Sequence, residues 1–91
     1  MDSTYHTFHS VTQLSKNTAR IAFGKRVKML RSLQNLSQRK LALMINVDYS
    51  YLCNIENGKA NATIDVIEKI ANGLNVRIRD LFSDEPDSDS E

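Results

Sequence analysis

The stretch SQRKLALMINVDYSYLCNIENG, residues 37–58, decides the fold, since it holds two short helical patterns separated by a three-residue break. Ser37 is a favourable N-cap for the first helix, which is predicted at about 38–45. Asp48 is the equivalent cap for the second helix, which is predicted at about 49–57. Two helices joined by so short a turn are expected to cross at a steep angle.

The second of these helices has little apolar surface and a wide polar face. Leu52 and Ile55 are its only large aliphatic residues, whereas Tyr49, Ser50 and Asn54 lie on its outer side. The major groove of DNA is about 12 Å wide and admits one helix, whose side chains then pair with base edges. Asn pairs bidentately with adenine, and Ser donates or accepts. The pattern therefore predicts a helix-turn-helix that contacts bases through these three polar residues.

Helical periodicity continues on both sides of this pair. Apolar residues recur at helical spacing and predict further helices at about 19–34, 64–73 and 77–82. The residues that this pattern assigns to the core include Met29, Met44 and Ile64. The residues expected to end helices in the left-handed conformation are Asn35, Asn46 and Asn75. Because no stretch alternates with period two for long enough to form a strand, the expected fold is all-α and compact, with five short helices.

The charge of the chain is unevenly distributed. The 91 residues hold 12 Lys and Arg against 11 Asp and Glu, and a formal net charge of +1 by itself argues against a nucleic-acid partner. Residues 83–91, however, carry five acids and no base, so residues 1–82 hold all 12 bases and six acids. The net charge of +6 on residues 1–82 favours binding to DNA, which is a polyanion. The tail is predicted to be disordered, and it either solubilises the protein or weakens its non-specific contact with a polyanion.

The remaining features limit the class of protein. Residues 1–18 mix aromatic and polar side chains without a period and predict a flexible N-terminal arm before a domain at 19–82. His6 and His9 lack a third ligand, so neither a metal nor another cofactor is expected. Cys53 is expected to pack against the preceding helix. No catalytic pattern, membrane span or secretory signal is recognisable, which favours a cytoplasmic protein that is not an enzyme.

Residues 23–82 resemble the Xre/Cro/lambda-repressor helix-turn-helix family. The matching pieces agree in type and spacing through all five predicted helices, and they include GKRVKMLR at 24–31, LSQ at 36–38, YLCNIENGK at 51–59 and DLF at 80–82. The segment DYSYLCNIE, with NATI after the loop, is similar to the controller proteins of restriction-modification systems. The resemblance implies a lambda-repressor-like fold and a transcriptional regulator that binds double-stranded DNA sequence-specifically.

The resemblance also implies roles for individual residues. The three polar residues on the outer face of the second helix of the pair fall where the family contacts bases, and Gln38 falls where it bonds a phosphate. The other residues expected at the DNA backbone are Arg31, Arg39, Tyr51, Asn57, Lys59 and Asn61. Glu56 corresponds to an acid that pairs within the domain, with Arg31 as the candidate partner.

Affinity is expected to depend on a second subunit, since the recognition helix carries no Arg or Lys. Relatives bind as dimers to half-sites about one helical turn apart. The apolar residues predicted to form the homodimer interface are Val76, Ile78, Leu81 and Phe82. The alternative is a protein-interaction module, such as an antitoxin or a partner-binding adaptor, whose arm binds a protein and for which DNA binding is secondary.

Overall fold

The computed structural model describes residues 18–83, which form five successive helical segments. They are α1 (Thr18–Leu33), α2 (Gln38–Ile45), α3 (Tyr49–Glu56), α4 (Ile64–Leu74) and a C-terminal 3₁₀ helix (Ile78–Phe82). No strand occurs between residues 18 and 83, so the predicted all-α fold is confirmed. The last segment is a 3₁₀ helix, a form that is common in pieces this short. The predicted arm and acidic tail lie outside the described residues, except for Thr18 and Ser83.

The helix ends follow the local sequence. The Ser37 hydroxyl accepts a hydrogen bond from the Lys40 backbone N–H at 3.0 Å, and the Asp48 carboxylate accepts one from the Tyr51 backbone N–H at 3.3 Å. Both N-caps are therefore as predicted. The residues with positive φ are Asn35, Asn46 and Asn75, each at 58°, and Gly58 at 76°. The three asparagines end helices in the left-handed conformation, as expected.

The core brings α3 into close contact with α1 and α2. The most deeply buried large side chains come from all five segments, and they are Val27, Leu41, Leu52, Ile55, Ile70, Leu74 and Leu81. A Cβ atom placed on Gly24 of α1 would lie 2.3 Å from the Ile55 carbonyl oxygen in α3. Only glycine permits this approach, so α3 gains from a tightly packed neighbour the support that its own apolar residues cannot supply.

Several residues predicted to be buried are exposed, and one residue assigned to the dimer interface is buried within its own subunit. Met29, Met44 and Ile64 are 39%, 50% and 75% exposed, because Met29 and Met44 lie away from the buried faces of their helices and Ile64 is the first residue of α4. Leu81, assigned to the dimer interface, has no exposed surface, because it packs into the core of its own subunit. The interface assignment of Leu81 is therefore corrected.

Two negative findings apply to residues 18–83. None of the helices there combines the length and the apolar character that crossing a bilayer requires. The same residues contain no group of three or more His, Cys, Asp or Glu side chains that could hold a metal ion. His6 and His9 lie outside this range.

Candidate nucleic-acid interface

The outer face of α3 presents the three residues predicted to contact bases. Ser50 and Asn54 are exposed, and Tyr49 is partly exposed at the first position of the helix. The inner face is buried, since Leu52 and Ile55 are almost inaccessible. The helix therefore has the predicted division into an apolar inner side and a polar outer side, and its polar side chains are open to a ligand.

A buried ion pair fastens the C-terminal end of α3 to α1. The Arg31 Nε donates to Glu56 Oε2 at 2.7 Å, and its Nη2 donates to Oε1 at 2.9 Å. Its Nη1 donates to the Leu36 carbonyl oxygen at 2.6 Å. The hydrogen bond to Glu56 raises the pKa of Arg31. The predicted pairing of Glu56 within the domain is confirmed.

This pairing corrects the second role predicted for Arg31. The residue is buried, and all three nitrogen atoms of its guanidinium already bond groups inside the domain. Three of its five N–H groups are used in this way, and the residue is only 8% exposed, so little of the guanidinium is open to a phosphate. We therefore assign Arg31 to the support of α3 and not to the DNA backbone.

Gln38, the first residue of α2, joins the same network. Its Nε2 donates to Glu56 Oε1 at 2.9 Å, and its Oε1 accepts from Cys53 Sγ at 3.3 Å. The packing of Cys53 against α2 is thus as predicted. Because an amide nitrogen has two N–H groups, the bond to Glu56 leaves one N–H of Gln38 unused by it. The residue joins the two helices of the motif on the side where a backbone contact is predicted.

Hydrogen bonds connect the loop after α3 to α3 itself and to α1. The Tyr51 hydroxyl donates to the Asn61 carbonyl oxygen at 2.6 Å, and Arg20 Nε donates to Asn61 Oδ1 at 2.7 Å. Asn57 and Lys59, which are also predicted backbone contacts, are exposed beside this connection. Sequence reasoning does not single out Arg20, because its partner is 41 positions away. A basic residue in the first turn of α1 is the only signal that could have indicated it.

Arg39 lies on α2 and reaches α3. Its Cζ atom stands 4.3 Å from the centroid of the Tyr49 ring, within the range of a cation–π contact. Arg39 is exposed, and Tyr49 is 37% exposed. A cation therefore lies against a residue of the predicted base-contacting face, although α3 itself carries no Arg or Lys.

Comparison with known proteins connects this geometry to a family. The HTH_3 helix-turn-helix family model matches residues 27–81. The chain is 42% identical over 69 residues to the control protein C.MunI of Mycoplasma sp, covering 75% of this chain and 93% of that protein. It is 41% identical over 67 residues to the control protein C.BamHI of Bacillus amyloliquefaciens, covering 72% of this chain and 83% of that protein.

A solved structure agrees with these matches. The restriction-modification controller protein C.AhdI from Aeromonas hydrophila superposes with a TM-score of 0.68 at 36% identity, covering 69% of this chain and 96% of that chain. The residues matched by the family model contain α2, α3 and α4 in full. The family consists of transcriptional regulators and not of enzymes, which agrees with the sequence prediction. The chain belongs to the Xre-type HTH_3 helix-turn-helix family of DNA-binding transcriptional regulators.

Proposed function

We propose that this chain is a sequence-specific regulator of the controller-protein type, which acts in the cytoplasm by placing α3 in the major groove of double-stranded DNA. The observation that carries this proposal is the rigid support of α3. Buried Arg31 and half-buried Gln38 both bond Glu56, while Ser50 and Asn54 stay exposed. A helix held firmly from behind loses little freedom on binding, which favours recognition over loose contact.

Phosphate contacts on both sides of α3 supply the affinity in this proposal. The residues assigned to them are Gln38, Arg39, Tyr51, Asn57, Lys59 and Asn61, together with Arg20. Gln38 begins α2, whose first backbone N–H groups favour an anion at the same place. Cations that flank the recognition helix compensate for the absence of Arg and Lys within it.

We assign the homodimer interface to the C-terminal end of the domain. Ile78 and Phe82 are 45% and 58% exposed on the 3₁₀ helix, and Val76 is half-buried before it. Ile64 is exposed at the start of α4. An eight-residue α3 is only about 12 Å long and contacts few base pairs, so a second copy supplies the remaining specificity on a palindromic operator.

Selection of bound sites from random DNA tests the proposal. The full chain is expected to enrich a palindromic motif whose half-sites are centred about one helical turn apart. A library that stays random after selection, although the folded protein binds DNA, would contradict sequence-specific regulation. It would favour the alternative of a protein-interaction module with secondary DNA binding.

A further inference from the structure

The base-contacting face of α3 lacks a cation of its own, and Arg39 provides one from the neighbouring helix. Arg39 is the second residue of α2, and Tyr49 is the first residue of α3. The guanidinium carbon lies 4.3 Å from the centroid of the tyrosine ring. The N-terminal end of the recognition helix therefore presents a guanidinium and a phenol as one unit.

Stacking on the ring changes what Arg39 can recognise. A free arginine side chain samples many rotamers, and a phosphate contact tolerates this freedom because a phosphate accepts hydrogen bonds from many directions. A guanidinium held against an aromatic face samples fewer orientations than a free one, because the cation–π contact favours the rotamers that keep it there. Such pre-organisation favours a planar partner with two acceptors over a diffuse negative charge.

The edge of the guanidinium stays accessible. Arg39 is exposed, and a shallow groove of about 340 Å³ opens beside the stack. The residues that line this groove are Arg39, Ala42, Leu43, Val47 and Tyr49. The cation therefore meets an open surface on the side where the two helices of the motif join.

We propose that Arg39 is a specificity-determining residue which donates two hydrogen bonds to O6 and N7 of a guanine in the major groove, with its guanidinium positioned by the Tyr49 ring. Arginine to guanine O6 and N7 is the commonest base-specific contact in DNA recognition. This inference rests on the proposed function, because the proposed function places the N-terminal end of α3 against the bases. It replaces the backbone role of Arg39 with a base contact.

Competition binding to the selected site and to its single-base variants tests this role. Arg39→Lys keeps the charge but loses the two-pronged donor, so it is expected to lose discrimination at one G·C pair by at least about fivefold. Its salt dependence should match that of the wild type. Tyr49→Phe keeps the ring and should retain the preference at that pair. Tyr49→Leu removes the ring and should weaken it.

Three further measurements separate the outcomes. In an Arg39→Lys background, Tyr49→Leu should cause no further loss at that G·C pair, because the ring then has no guanidinium to position. Lys40→Gln, an exposed cation on the same helix, is the matched control and should weaken binding to all sequences alike. Thermal unfolding of every variant confirms that the domain is intact.

Two results overturn the inference while leaving the proposed function standing. One is an Arg39→Lys variant with unchanged preference at every position of a motif that the wild type does select. The other is a pair of results: Arg39→Gln weakens binding to all sequences equally, and Arg39→Lys binds them as the wild type does. This pair indicates a phosphate contact. A wild-type protein that selects no motif overturns the proposed function and this inference with it.

Discussion

The region around α3 and the C-terminal end of this domain differ in how their side chains are satisfied. Around α3, buried polar groups are paired inside one subunit, with Glu56 accepting from both Arg31 and Gln38. At the C-terminal end, apolar side chains are left uncovered, with Ile78 and Phe82 about half exposed. The polar groups around α3 are thus satisfied within a single copy, whereas the C-terminal end leaves apolar surface exposed. On the proposed function, this difference assigns base recognition to α3 and assembly to the 3₁₀ helix.

The largest expected effect comes from breaking the support of α3. Glu56→Ala leaves Arg31 buried without its carboxylate, so we expect the free energy of unfolding to fall by about 3–5 kcal/mol. Urea or thermal unfolding followed by circular dichroism measures this loss. Glu68→Ala removes an exposed carboxylate and is the control, with an expected change within about 0.5 kcal/mol. Equal stability of the two variants would show that the ion pair does not hold α3.

The next effect tests the C-terminal end. Ile78→Asp places a charge on the proposed dimer interface and is expected to give a monomer in analytical ultracentrifugation. Loss of the second subunit should lower operator affinity about a hundredfold, because two linked contacts become one. Leu43→Asp changes a residue that is 80% exposed on α2 and should leave the sedimentation unchanged. A wild-type protein that is already monomeric at tens of micromolar would contradict the interface.

The sequence predicts these two regions unequally well for physical reasons. Caps depend on neighbours in the chain, so Ser37 and Asn46 are recognisable from their local pattern. Burial depends on which elements pack together, and an apolar period cannot distinguish Leu81, which is fully buried, from Ile78, which is not. The C-terminal end is therefore one part of the domain where the sequence prediction needed correction.

The candidate site shows the same limit. The polar outer face of α3 follows from helical spacing, and its exposure agrees with that prediction. The position of a long cation does not follow from spacing. The position of Arg31 in the chain is compatible with a bond to a phosphate and with a bond to Glu56. The contacts of Arg20 and Arg39 each join two separate segments of the chain. Such contacts depend on tertiary packing, which spacing along one helix does not encode.

A smaller effect than these two tests base recognition and leaves both the ion pair behind α3 and the 3₁₀ helix unchanged. Asn54→Ala changes an exposed side chain, so stability should stay within about 0.5 kcal/mol of the wild type. If Asn54 pairs with a base, binding to the selected site should weaken by about 1–3 kcal/mol and the preference at one position should relax. Competition binding with single-base variants measures both. Unchanged affinity and preference would remove Asn54 from the base-contacting set.

The smallest effect concerns the acidic tail, which adds negative charge and belongs neither to α3 and its surroundings nor to the 3₁₀ helix. Residues 83–91 hold five acids, which offset most of the +6 charge of residues 1–82. If the tail competes with DNA for the cations that flank α3, deleting residues 83–91 should tighten non-specific binding a few-fold and steepen its salt dependence. A tail of equal length with Asn and Gln in place of the acids separates charge from length and should behave like the deletion. If both variants bind non-specific DNA as the wild type does, the tail acts only on solubility, and the charges that matter for DNA binding are those of the domain.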